Sequence, residues 1–232
     1  MSSPGPADGT DRVLGWTSRA ASLHHAGEPL GASDLAVVLV HGRHQDTRSM
    51  LDVAERLPPA PVSYLALEEP TGQWYPFSFL EPLARNEPQL SSSLDTVSSL
   101  LAWLDDRGYG PESVVLVGFS QGACLLAEYL LRHPARYGGA VLLIGGAIGP
   151  PGTSWDGPAT LAGTPVYLGT SDPDDWVPAT RVRETAAVLE ARGARVTTEI
   201  FPGLGHEVSD DGVGAAGRLI AQARRTSGRP TR

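Results

Sequence analysis

The chain has 232 residues, which suits one α/β domain with a sheet between two helical layers and leaves little for a second domain or a large cap. A formal charge of −8 argues against nucleic acid or an anionic membrane as the main partner, because both select basic surfaces. The single cysteine, Cys124, excludes an internal disulfide.

Residues 1–12 are rich in Pro, Gly, Ser and Asp and lack the basic start and apolar core of a signal peptide, so a disordered tail is expected. No run approaches the ~18 apolar residues of a membrane span, so the expectation is a cytoplasmic protein without stable membrane insertion. Residues 35–40 (LAVVLV) form a continuous apolar run, as in a parallel strand buried on both faces. Residues 62–67, 114–117, 140–144, 165–168 and 196–201 read the same way. Between them lie helical patterns. Residues 47–57 follow Asp46, a good N-cap, and stop before Pro58. Residues 90–106 end before Gly108, and residues 121–132 are apolar nearly all round and stop at His133-Pro134. Helices are also expected over 181–191 and 212–224. Strands alternating with helices predict a mostly parallel central sheet covered on both faces, in one domain over residues 13–223 with a polar tail over 224–232.

The strand at 114–117 runs directly into Gly118-Phe119-Ser120-Gln121-Gly122, and a buried helix follows. In that context G-x-S-x-G is a tight turn that presents Ser120 at the strand's C-terminal end, with glycines where side chains would collide. A serine nucleophile needs a histidine to take its proton and a carboxylate to fix that histidine's tautomer. Two histidines follow Ser120. His133 closes a helix, where an imidazole commonly caps carbonyls, whereas His206 sits in a glycine-bearing loop beyond the last strand and is the expected base. The acid belongs in the loop 169–178, which offers Asp172, Asp174 and Asp175. Counted from the strand's end Asp172 is best placed; counted back from Val177-Pro178 it is Asp174, and spacing leaves both open. The pair His41-Gly42 after the first long strand marks an oxyanion loop, so the main-chain N–H groups of Arg43 and Gln121 are expected to face the substrate carbonyl. His41 and His44 lie in the wrong chain order to act as base. Trp74 and Tyr75, in a long proline-broken aromatic loop, and Trp176, beside the acid loop, are candidate substrate-binding residues. Cys124 reads as a core residue.

These pieces together resemble the phospholipase/carboxylesterase family that includes the acyl-protein thioesterases. They are Val38-Leu39-Val40-His41-Gly42-Arg43, Gly118-Phe119-Ser120-Gln121-Gly122, the Asp-rich loop ending Val177-Pro178, and Pro202-Gly203-Leu204-Gly205-His206. The resemblance implies the α/β-hydrolase fold without a large cap. It also implies a Ser-His-Asp hydrolase of carboxylic esters or thioesters acting through an acyl-enzyme. Family members typically read Asp-Pro-x-Val-Pro, which points to Asp174 as the acid. This chain has Asp175 for the proline and Trp176 before the valine, so Asp172 stays as the alternative. The small-molecule ester or thioester is the expected partner, with no cofactor and no metal. Lysophospholipase or acyl-thioesterase specialisation, or a catalytically silent binding protein on the same scaffold, are the alternatives. A homodimer is compatible with the sequence.

Overall fold

The continuous apolar runs form the parallel core of one sheet in the computed structural model, which describes residues 11–12, 15–18, 20–155, 157 and 160–227. The strands are β1 (Asp11–Arg12), β2 (Ser22–Gly27), β3 (Ala36–Val40), β4 (Ser63–Glu68), β5 (Val114–Phe119), β6 (Gly139–Leu143), β7 (Pro165–Asp172) and β8 (Arg195–Pro202). Their order across the sheet is β1-β2-β4-β3-β5-β6-β7-β8. From β4 to β8 every neighbouring pair is parallel. At the other end β1 and β2 join antiparallel, with Asp11 opposite His25 and Leu23 opposite Leu67. Sequence patterning did not predict β2. Its residues SLHHAG carry two histidines and mostly half-buried positions, so no apolar run marks it.

The helices are α1 (Thr47–Glu55), α2 (Leu83–Asn86), α3 (Gln89–Asp105), α4 (Gln121–Arg132), α5 (Ala179–Ala191) and α6 (Asp210–Thr226). Asp46 caps α1 by accepting from the Ser49 N–H at 3.2 Å, and Ser209 caps α6 by accepting from Gly212 N–H at 2.9 Å. All six residues of β5 are buried, and its side chains alternate between faces, so helices must cover both sides of the sheet centre. Helix α4 packs on β5 and β6 and is flanked by α3, while α6 reaches the same strands and is tied to the end of α1 by Arg56–Asp210 at 2.7 Å. Helix α6 runs through Thr226, beyond the expected start of a tail at Arg224. Ala223 is buried there, and Arg224 reaches Asp34 at 3.3 Å. Residues 1–10 of the expected N-terminal tail lie outside the described residues.

The parallel register sets Val40 beside Gly118 and Gly118 beside Leu142, so the loops leaving β3, β5 and β6 emerge together at one edge. That edge is where ligands bind in open α/β sheets. The long connection from β4 to α3 carries only the four-residue α2, so no large cap rises over it. Among the described residues, no helix is long and apolar enough to cross a membrane.

Candidate active site

Strand β5 delivers Ser120 into a backbone conformation that side chains rarely adopt, φ 51° and ψ −116°. Such strain costs about 1–3 kcal/mol and persists only where the surroundings over-determine it. Here they do. A Cβ on Gly118 would lie 2.7 Å from the Gly122 carbonyl oxygen, and one on Gly122 would lie 2.2 Å from the Val40 oxygen. The turn is pinned further by Ser120 N–H donating to the Leu143 carbonyl at 2.9 Å and Cys124 N–H donating to the Ser120 carbonyl at 3.0 Å.

The loop after β8 brings His206 to the serine, with Nε2 2.8 Å from Ser120 Oγ. Gly203 and Gly205, at φ 70° and 83°, allow the loop its turn. On its other side His206 Nδ1 lies 2.9 Å from Asp174 Oδ2 and 3.1 Å from Oδ1. A carboxylate only accepts, so Nδ1 carries the proton and Nε2 is left to accept from the serine hydroxyl. The Asp174 side chain is 0% exposed, and its Oδ1 also accepts the N–H groups of Trp176 (2.8 Å) and Val177 (2.7 Å). Asp172 and Asp175 are exposed, and Asp172 closes β7 with its carbonyl accepting from Gly203 N–H. Of the three loop carboxylates, Asp174 is the one brought to His206. Ser171, which sequence reasoning did not single out, ties the two loops together: its buried hydroxyl accepts from Gly205 N–H at 2.9 Å and reaches the Phe201 carbonyl at 3.2 Å.

Gln121 opens α4, where the first N–H groups have no partner within the helix and the dipole favours negative charge. Arg43 follows Gly42 beyond the end of β3, and Arg43 and Gln121 line the space in front of Ser120. His41 is fully buried. Its Nδ1–H donates to the Gly42 carbonyl (2.7 Å) and its Nε2 accepts from Glu69 N–H (3.1 Å), and burial pushes its pKa down. His133 stacks on Tyr129 at 4.6 Å at the end of α4.

Two cavities meet at Ser120 and His206. One, of about 590 Å³, is walled by Tyr75, Phe77, Phe79, Trp176, Val177 and Cys124. The other, of about 410 Å³, lies against α1 and the His206 loop and has Gln45, Ser49, Asp52, Arg56 and Glu207 among its walls. Of the expected substrate-binding residues, Tyr75 and Trp176 border the larger cavity, and Trp176 is 72% exposed. Trp74 does not line either cavity. It is buried below, its indole N–H donating to the His41 carbonyl at 2.9 Å and its ring 4.9 Å from the His41 ring. Its neighbour Tyr75 is equally buried but borders the larger cavity. Burial pushes the Cys124 thiol up to about 11, so it stays protonated. Among the described residues, no group of three or more His, Cys, Asp or Glu side chains could hold a metal ion.

Residues 28–223 match the Phospholipase/Carboxylesterase family. The chain belongs to that family. A phospholipase/carboxylesterase of Dyadobacter fermentans has the same fold with a TM-score of 0.81 and 32% identity, covering 86% of this chain and 95% of that one. A probable carboxylesterase of Arabidopsis thaliana, SOBER1-like, is 28% identical over 82% of this chain and 72% of its own length. A carboxylesterase of Mesorhizobium loti, at 20% identity, shares the fold with a TM-score of 0.71 over 92% of this chain and 99% of that one. As a phospholipase/carboxylesterase family member the chain is a hydrolase of the carboxylesterase type.

Proposed function

We propose that this hydrolase cleaves small carboxylic esters, or thioesters, with Ser120 as nucleophile, His206 as general base and Asp174 as the buried acid. The observation that carries this reading is the chain of contacts from Ser120 Oγ through the His206 ring to Asp174. In the proposed reaction the hydroxyl proton passes to His206 Nε2 while Oγ bonds to the substrate carbonyl carbon. The carbonyl electron pair moves to oxygen, where the N–H groups of Arg43 and Gln121 would receive it. Each such donor contributes about 10²–10³ in rate because the charge develops only in the transition state. His206 then returns the proton to the departing alcohol or thiol, the acyl group stays on Oγ, and water repeats the sequence to free the acid.

The apolar walls of the larger cavity support it as the acyl site, and the polar walls of the smaller support it as the exit for the leaving group. The charge of −8 supports an uncharged small molecule over nucleic acid as partner. The test is turnover of p-nitrophenyl acetate and its thioester counterpart by the wild-type chain and by Ser120→Ala. Loss of about 10³-fold or more in kcat in the variant is expected. Equal turnover by a folded Ser120→Ala protein would remove the serine from the chemistry.

A further inference from the structure

Arg43 and Gln121 engage one short segment with their side chains. Arg43 Nη1 donates to Gln73 Oε1 (3.2 Å) and the Pro76 carbonyl (2.9 Å), and Nη2 donates to the carbonyls of Tyr75 (2.9 Å) and Phe77 (2.8 Å). Gln121 Nε2 donates to that same Tyr75 carbonyl at 2.8 Å, while Gln121 Oε1 accepts from Trp74 N–H at 3.0 Å. The Tyr75 oxygen is thus held from two sides, by one residue of the β3 loop and one at the start of α4.

The segment itself is anchored to the body of the protein. Ser93 Oγ on α3 donates to the Trp74 carbonyl at 2.6 Å, Gln89 Nε2 donates to the Gln73 carbonyl at 3.0 Å, and Phe77 N–H donates to Asn86 Oδ1 at 2.8 Å. These anchors hold Gln73, Trp74 and Phe77, whereas the carbonyls of Tyr75 and Pro76 between them are held by Arg43 and Gln121. The segment's side chains Tyr75 and Phe77 form a wall of the larger cavity. An alternative role for Arg43, gripping an anionic substrate, does not suit this geometry. All four Nη–H bonds are directed at neutral oxygens of the protein, and an anion would have to displace them.

We propose that Arg43 and Gln121 are positioning residues whose side chains, meeting on the Tyr75 carbonyl, lock the acyl-cavity wall and the two main-chain oxyanion donors into one mechanical unit. The proposal rests on the esterase reading. Oxyanion donors act only within a few tenths of an ångström of their place, and a displacement of about 1 Å can cost ~10²-fold. Lysine keeps the charge but presents three donors at one point, and cannot span acceptors on four residues.

The experiment measures kcat and KM on p-nitrophenyl acetate and octanoate for wild type, Arg43→Lys, Gln121→Met and the double variant, with melting temperatures alongside. Arg43→Lys should lower kcat about 10- to 100-fold on both esters and flatten the octanoate-to-acetate ratio of kcat/KM, because wall and donors move together. Gln121→Met should give the same signature more weakly. The double variant should lose less than the product of the two single losses, since both act on one carbonyl. Arg43→Lys within threefold of wild type in kcat with an unchanged ratio would overturn the proposal, as would a lowered melting temperature with unchanged kinetics. A double variant whose loss is the full product would also overturn it. An inactive wild-type chain would instead overturn the esterase reading, so the two failures are distinct.

Discussion

Replacing Asp174 by asparagine removes one charge and almost no volume, yet the local hydrogen bonds make it severe. Oδ1 accepts two main-chain N–H groups at 2.8 and 2.7 Å, so only the amide oxygen of an asparagine fits there. The amide NH₂ then occupies the position of Oδ2, facing His206 Nδ1, which is 2.9 Å away in the wild type. A donor at that place favours the tautomer with Nδ1 accepting and Nε2 protonated. Nε2–H would point at Ser120 Oγ and could not take its proton. Loss of the correct tautomer together with the balancing charge costs about 10³–10⁴ in kcat. That corresponds to about 4–5.5 kcal/mol of transition-state stabilisation. KM should change little, since neither carboxylate oxygen faces a cavity. The matching control is Asp172→Asn, where the carboxylate is exposed and away from the ring, and kcat should stay within about threefold. The assay is initial-rate hydrolysis of p-nitrophenyl acetate, with circular dichroism to confirm folding. Asp174→Asn retaining more than a tenth of wild-type kcat, or Asp172→Asn falling as far, would refute the reasoning.

Gly122→Ala should yield little folded protein or a melting temperature lowered by many degrees, since its Cβ would meet main-chain oxygens at 2.2 and 2.5 Å that cannot retreat; a normal melt would refute the tight turn. Trp176→Ala, at a site 72% exposed, should change stability by less than about 0.5 kcal/mol. The same variant should raise KM for octanoate several-fold more than for acetate, and an equal rise would remove Trp176 from the acyl wall. Cys124, buried and pushed up to about 11, should resist iodoacetamide at pH 8 in the folded protein and react in urea, as followed by mass. Rapid alkylation of the native protein would contradict its burial.

The parallel strands were legible because burial on both faces leaves an unbroken apolar run, as in AVVLV of β3 and VVLVGF of β5. Strand β2 was not, because an antiparallel strand near a sheet edge tolerates His24 and His25. The glycines around Ser120 were legible for the same reason they are needed: the turn leaves no room for Cβ. The choice between Asp172 and Asp174 was not, since spacing alone does not say which carboxylate the loop folds inward. Trp74 carries the same signal as Tyr75 in sequence and both are buried, and only the loop's path sets Tyr75 alone of the two against the cavity. The grip of Arg43 and Gln121 on Tyr75 joins residues 32 and 46 positions apart through a main-chain oxygen, which no side-chain pattern encodes.

The most direct test of the account is covalent labelling of the folded wild-type chain with a fluorophosphonate probe, followed by peptide mapping. One adduct per chain is expected, on the Ser120 hydroxyl, abolished by heat denaturation and strongly slowed in His206→Ala. An adduct on another residue, or none on Ser120 in folded protein, would contradict it.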